Sequence, residues 1–181
     1  MMNGIDRIRL AAIKAANACR RQVFGQKWTP RAAQVLALAR KNAATMKHEC
    51  VMATHFTLAL GHLGEGWAAE CLKELGFEHG RALAQAQAIL GTGTVTMEST
   101  TIPFTDETKR ILALAQRLSV SQGLLHLGTD HIFAALLQRP EPLLTALIES
   151  KGLKLEDYRK QFEANFRDQT DKMLLGKDIK S

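Results

Sequence analysis

The chain has 181 residues, 46% of them hydrophobic and only 6% aromatic, with a formal net charge of +6. That length suits one domain, or two small halves sharing a core; the richness in Ala and Leu favours helices over sheets, and no apolar run approaches the ~18 residues of a membrane span. Three cysteines at unrelated spacings, Cys19, Cys50 and Cys71, exclude a disulfide framework and a CxxC zinc site, and fit a reduced cytosolic compartment.

Residues 1–27 form a basic extension and read as one helix, with Ile5, Ile8, Ala12, Ala16, Cys19 and Val23 at helical spacing. Arg7, Arg9, Lys14, Arg20, Arg21 and Lys27 against Asp6 place +5 of the charge here, so the body that follows is nearly neutral. Three readings stay open: a helix packed on the body or a solvated arm, an element that binds a partner or an anionic surface, and a cleaved organellar presequence. No continuous apolar stretch marks a secretory signal.

From Trp28 onward the chain repeats itself. With an offset of 76 residues, Trp28–His79 lies over Phe104–Leu155 without a gap and ten positions are identical, among them Thr29/Thr105, His55/His131, Glu65/Glu141 and Gly76/Gly152. A repeat of this kind decides the architecture before any single residue is read. The first copy opens with Thr29 as a helix N-cap and Pro30 at the first helical position, followed by a stripe of Val35, Leu36, Ala39 and Ala43. A second helix is predicted from about Thr54 to Leu63, then a Gly-rich turn at 61–66, a third helix from about Glu65 ending at Gly76, and a fourth from His79 to Leu90. Residues 91–103 read as a linker. The second copy replays the plan: Thr105 caps a helix reaching Gln122, Thr129 caps one running to Gln138, a third ends at Gly152, and a last helix from Leu155 passes into a polar tail after Phe166. The expected fold is all-α: two four-helix repeats, 28–90 and 104–166, about eight helices related by a pseudo-twofold axis, with a helical N-terminal extension and a tail at 167–181.

The chemistry-bearing motifs are missing. There is no P-loop, no GxSxG and no HExxH; His48-Glu49 begins like a zinc motif, but Met52 stands where the second histidine belongs. His48, Cys50, His55 and His62 cluster in sequence, yet only His55 recurs in the duplicate, so His55 and His131 read as first-turn histidines with one structural job done twice. Cys50 and Cys71 read as small core residues and Trp67 as a cover over the core edge. No catalytic residue, metal or cofactor is expected, and the chain is expected not to be an enzyme.

Residues 29–39, with Thr-Pro-Arg-Ala and Val-Leu-Ala-Leu-Ala, and their copy at 104–115 resemble the first helix of each Clp N-domain repeat. Leu127-Gly128-Thr129-Asp130-His131-Ile132 is similar to that family's G-T-E-H helix start, and Gly64-Glu65-Gly66-Trp67-Ala68-Ala69 with Leu75-Gly76 to its G-E-G-x-A-A…L-G segment. The resemblance covers about residues 28–166 and is nearest to the N-terminal domain of the ClpA and ClpC class of AAA+ unfoldases. It implies a non-catalytic module that binds protein partners: Clp ATPase or peptidase subunits, adaptor proteins, or unfolded and tagged substrates. Without Walker motifs in these residues, it implies an accessory or recognition protein of a Clp-type protease system with no motor of its own. A regulator or decoy competing for Clp adaptors is one alternative, and a nucleic-acid-binding protein using the basic arm is another. The compartment implied is cytoplasmic or, as in plastid Clp accessory proteins, organellar; no membrane association is implied.

The resemblance also points to ligand chemistry. In ClpC-like relatives a phosphoarginine pocket lies at corresponding helix starts in each repeat. Transferred residue by residue, the candidate binding positions are Thr29, Thr54 and His55 in and beside the first pocket and Thr105, Thr129, Asp130 and His131 in and beside the second. Thr54 is not acidic, so the first pocket lacks its counter-charge, while Asp130 keeps a charge on a shorter arm. On this reading Asp130→Ala weakens partner binding with little loss of stability, and the alternative is that Thr29, Thr105 and Thr129 are simply caps.

Overall fold

A computed structural model describes residues 4, 6–7, 9–14, 27–96, 98–99 and 101–176. Eight helices follow Pro30: α1 (Pro30–Thr45), α2 (Ala53–Leu63), α3 (Trp67–Glu74), α4 (His79–Leu90), α5 (Asp106–Ser121), α6 (Thr129–Gln138), α7 (Pro142–Ser150) and α8 (Leu155–Leu174). The described residues up to Lys14 are helical as well. The expected all-α double repeat is what the chain forms. The buried stripe of α1, Ala32, Val35, Ala39 and Ala43, and that of α5, Thr108, Ile111, Ala115 and Ser119, occupy equivalent positions 76 residues apart.

The second helix of each repeat lies at the centre. Thr54 to Leu60 of α2 and all of Thr129–Leu137 in α6 except Asp130 are buried, so both helices are enclosed on nearly every side. Two short parallel pairings cross the repeats. Lys27–Trp28 (β1) pairs with His126–Leu127 (β2), and Val51 bridges to Phe104 at the positions related by 76. The Thr29 amide donates to the Leu127 carbonyl (2.9 Å) and the Thr105 amide to the Val51 carbonyl (3.1 Å). The start of each repeat's first helix is thereby tied to the start of the other's second helix, and neither repeat completes its backbone hydrogen bonds alone.

Three elements differ from expectation. Thr129 is the first helical residue of α6, not its cap; Gly128 holds that position and supplies no side chain. The last helix runs past Phe166 to Leu174, because Thr170 and Leu175 are buried and extend its inner face. The linker is pinned along the first repeat: Gly93 and Val95 amides donate to the Met46 and Lys47 carbonyls, and the Val51 amide donates to Pro103. A Cβ on Gly93 would sit 1.9 Å from the Lys47 carbonyl oxygen, so only glycine allows this approach. Of the extension, Leu10 is buried and Lys14 forms a 2.7 Å ion pair with Asp171, which fits a helix packed on the body; Ile5, Ile8, Ala16, Cys19, Arg20, Arg21 and Val23 lie outside the described residues.

The halves are not filled alike. Trp67 stacks on Phe162 (4.4 Å, 11°), Phe162 meets Phe133 edge-on (5.0 Å), and Phe166 meets Trp67 and His131. Their equivalents 76 residues away are Leu143 for Trp67, Ala86 for Phe162, Thr57 for Phe133 and Leu90 for Phe166. Elsewhere the trade runs the other way. Gly61 leaves room for the Phe77 ring, which lies 2.3 Å from where a Cβ would be, whereas its counterpart Leu137 is buried and faces a repeat that has Leu153 in place of Phe77. Gly61→Leu is expected to destabilise the fold by about 1–3 kcal/mol through overpacking, and adding Phe77→Leu to restore part of it. Additive losses in urea melts of the two single variants and the double variant would show the pair to be independent.

Candidate functional site

Carboxylates settle the junction between the repeats, and they do so differently at its two equivalent ends. At one end Glu141 caps its own helix α7, accepting from the Leu143 (2.9 Å) and Leu144 (2.8 Å) amides, and also accepts hydroxyls from Thr54 (2.6 Å) and Thr57 (2.8 Å) of α2. All three side chains are buried. At the other end Gly66 stands at the cap of α3 without a side chain, and its counterpart to Glu141, Glu65, is exposed and paired with Arg31. There the Asp130 carboxylate reaches across from α6, Oδ1 accepting from the Ala68 amide at 3.0 Å. Thr54 and Asp130 are thus equivalent positions whose partners have exchanged roles: a hydroxyl meets a carboxylate at one end, and a carboxylate meets bare helix amides at the other.

The two conserved-in-repeat histidines do share a task. His55 Nδ1 accepts the Met52 amide (2.9 Å) and His131 Nδ1 the Gly128 amide (3.0 Å), each serving as the third-position half of a capping box in place of Glu or Gln. Because Nδ1 accepts, the proton of each neutral ring is on Nε2. His55 Nε2 then donates to His48 Nδ1 (3.0 Å), and His48 Nε2 to the Gly91 carbonyl (3.2 Å); His131 Nε2 donates to Gln122 (3.2 Å). Burial, with the neighbouring His48 for His55, pushes both imidazoles down to about 4.

The structure therefore separates the candidate residues. Thr54, His55, Thr129 and His131 are buried. Thr105 is consumed by its own helix: its Oγ1 accepts the Thr108 amide and meets the Thr108 hydroxyl, which in turn donates to Val51. The counter-charge missing from Thr54 is absent for a reason, since its hydroxyl is spent on Glu141. Thr29 caps α1 through the Ala32 amide. Only Thr29, Asp130 and an edge of His131 come together at one concave surface, a groove of about 350 Å³ whose other walls are Leu124, Leu125, His126, Phe166 and Met173. Asp130 lies at this groove, its Oδ1 accepting from the Ala68 amide at 3.0 Å and from the Thr129 hydroxyl at 3.4 Å. Burial raises its pKa, an effect opposed by the Ala68 amide and the Thr129 hydroxyl. The expectation that Asp130→Ala spares stability is corrected by this geometry, because alanine would leave α3 uncapped at a cost of about 1 kcal/mol. Glu141, Thr57, Phe166 and Met173 were not singled out from the sequence; the identity of Glu65 and Glu141 in the repeat was the available signal for the first.

Cys71 is buried against Tyr158, and burial pushes its thiol up to about 12, which suits a core residue and not a nucleophile. Among the described residues no group of three or more His, Cys, Asp or Glu is arranged for a metal ion, and no helix is long and apolar enough to cross a membrane.

Comparison with known proteins gives the family. The family profile of the Clp repeat (R) N-terminal domain matches residues 27–150 and again 103–177. The chain belongs to this family. It is 30% identical over 139 residues to the chaperone protein ClpB of Oceanobacillus iheyensis and, over the same length, to the negative regulator of genetic competence ClpC/MecB of Bacillus subtilis. In both cases 77% of this chain is aligned, and it spans 17% of the relative's length. Its fold is similar to the crystal structure of the N-terminal domain of the protease-associated chaperone ClpD from Arabidopsis thaliana, with a TM-score of 0.61, 18% identity, and coverage of 77% of this chain and 97% of that one. The Clp repeat, matched twice along the chain, accounts for the two equivalent junctions.

Proposed function

We propose that this protein is a non-catalytic recognition module of a Clp-type protease or unfoldase system, holding an adaptor or a substrate segment in the groove beside Asp130. The observation that carries this reading is the groove itself: it brings together Thr29, the Asp130 carboxylate and an apolar wall of Leu124, Leu125, Phe166 and Met173, whereas at the equivalent end Thr54 is buried against Glu141. An apolar wall with one carboxylate suits a polypeptide segment that presents an apolar residue beside a basic or amide donor. With Thr54 committed to Glu141, one site of this kind is expected per chain, and any guanidinium-type ligand would bind there.

The test is a pull-down of the tagged chain from source lysate at low and moderate salt, read by mass spectrometry, beside the same experiment with Asp130→Asn. Asparagine keeps the acceptor oxygen for Ala68 and removes the charge, so the fold should hold while partner recovery falls by roughly ten-fold, the worth of one charge-assisted hydrogen bond. Recovery of Clp ATPase, peptidase or adaptor subunits that is unchanged by Asp130→Asn would remove Asp130 from the site. Recovery of adaptors without ring subunits would favour the decoy reading.

A further inference from the structure

A cavity of about 240 Å³ lies where the end of α3, the start of α4 and the end of α7 meet. Leu75, Ala82 and Leu147 line it and are buried, and Gly76 adds backbone without a side chain. Three lining side chains can donate hydrogen bonds: Arg81, Gln85 and Lys151. Arg81 and Gln85 are one turn apart on α4 and stand side by side. Lys151 comes from the end of α7, its Nζ 3.2 Å from where a Cβ on Gly76 would lie. Among the described residues none of these three side chains has a hydrogen bond or an ion pair. The one acid in the lining is spent: Glu78 Oε1 accepts the Gly80 amide (2.9 Å) and Oε2 the Arg81 amide (2.8 Å). These amides, that of Arg81 foremost, hold its carboxyl below the usual range. Ser150 donates its hydroxyl to the Leu147 carbonyl. The duplicate shows that the fold does not ask for these cations. At the equivalent positions Arg81 and Glu78 become Asp157 and Lys154, and Ser150 and Lys151 become Glu74 and Leu75. The same helices form at both ends with the charges reversed, so packing does not account for Arg81 and Lys151.

We infer that this cavity is an oxyanion-binding site, taking a carboxylate or phosphate group against Arg81, Gln85 and Lys151. The donor set decides the chemistry. Arg81 offers a planar fork of N–H groups that matches two oxygens, Lys151 a compact positive charge, and the Gln85 amide a neutral donor beside the fork. A cationic ligand has nothing to meet here, because both oxygens of the one carboxylate already accept backbone amides. The size is below the roughly 300–1,000 Å³ of sites for drug-sized ligands, so the occupant is a small oxyanion or the charged end of a larger molecule. The site is independent of the groove beside Asp130, with which it shares no lining residue.

The experiment titrates the full chain with inorganic phosphate and with citrate, each against sodium chloride at matched ionic strength, and follows backbone amide shifts by NMR. Saturable shifts centred on Gly76, Arg81 and Lys151 are expected, and the anion that binds more tightly assigns the site to phosphate or to carboxylate. Arg81→Gln and Lys151→Gln should each weaken binding by roughly ten-fold, while Lys109→Gln, which removes the same charge from α5, should weaken it by less than about two-fold. Glu78→Gln removes the opposing charge and should tighten binding by about two-fold, a gain that a purely structural role for these residues does not produce. Asp130→Asn should have no effect, so failure here and failure at that groove are told apart. Shifts that rise without saturation and match those in chloride, or equal losses from Lys151→Gln and Lys109→Gln, would overturn the proposal.

Discussion

Glu141→Ala is expected to destabilise the protein by about 3–5 kcal/mol, a large part of the roughly 5–15 kcal/mol that holds a domain folded. The carboxylate is 6% exposed and accepts four hydrogen bonds, two from the first turn of α7 and two from threonines of the other repeat. Alanine leaves all four donors buried without partners, and Thr54 and Thr57, at 2% and 0% exposure, cannot turn to water. Glutamine keeps one acceptor oxygen but turns an NH2 group toward donors, so about half the loss is expected from Glu141→Gln. The sharper comparison removes both sides of the network: Thr57→Val, which alone should cost little more than its own hydrogen bond, should recover stability when added to Glu141→Ala. Urea melts of the four proteins decide it. A midpoint for Glu141→Ala within about 1 kcal/mol of the parent would mean that water reaches this junction and that the repeats are not locked by it.

That junction also shows where the sequence is legible and where it is not. The 76-residue offset predicts eight helices and their order because each repeat carries its own caps and its own apolar spacing: Thr29 and Thr105 do cap α1 and α5, and the glycines at 76 and 152 do follow the ends of α3 and α7 with positive φ. These are local features, fixed by neighbours a few residues away. The fate of Thr54 and Asp130 is not local. Both stand at the second position of a central helix, and nothing within a turn of either says that the partner is Glu141, 87 residues on, or Ala68, 62 residues back. A carboxylate at a family's ligand position therefore reads as a ligand group from the sequence, when one of its oxygens caps a helix of the other repeat. The end of α8 at Leu174 is hidden in the sequence for the same reason. After Phe166 the sequence turns polar, and only the packing of Thr170 and Leu175 shows which side of that polar stretch is inside. The groove follows from this longer helix, since Phe166, Gln169, Thr170 and Met173 form one of its walls.

The protein should lose stability steeply between pH 6.5 and about pH 4, through His55 and His131. Each is held at about 4 in the folded state, against 6.5 when exposed in the unfolded chain. The unfolded state thus binds these two protons first. Their contribution is complete above pH 6.5 and is lost as the pH falls toward 4, at about 3 kcal/mol per histidine over the whole window. Geometry gives the same sign. His55 Nδ1 and His131 Nδ1 are already occupied by donated amides, so a proton on either breaks a cap; in His55 it also sets an N–H against the Met52 N–H while Nε2 remains committed to His48. Asp130 works in the opposite direction: burial raises its pKa, so the folded state takes up that proton more readily as the pH falls and Asp130 does not add to the loss. Chemical melts at half-unit steps from pH 7.5 to 5 should fall with a slope near two protons at the lower end, and His55→Gln with His131→Gln should flatten it, because glutamine at the same position still accepts the cap amide but does not titrate. The double variant should be weaker than the parent at pH 7.5, having lost the His48 contact and the ring against Phe166, yet change less on acidification. Parallel profiles for the two proteins would place the acid sensitivity elsewhere and would mean that water solvates both rings in the folded state.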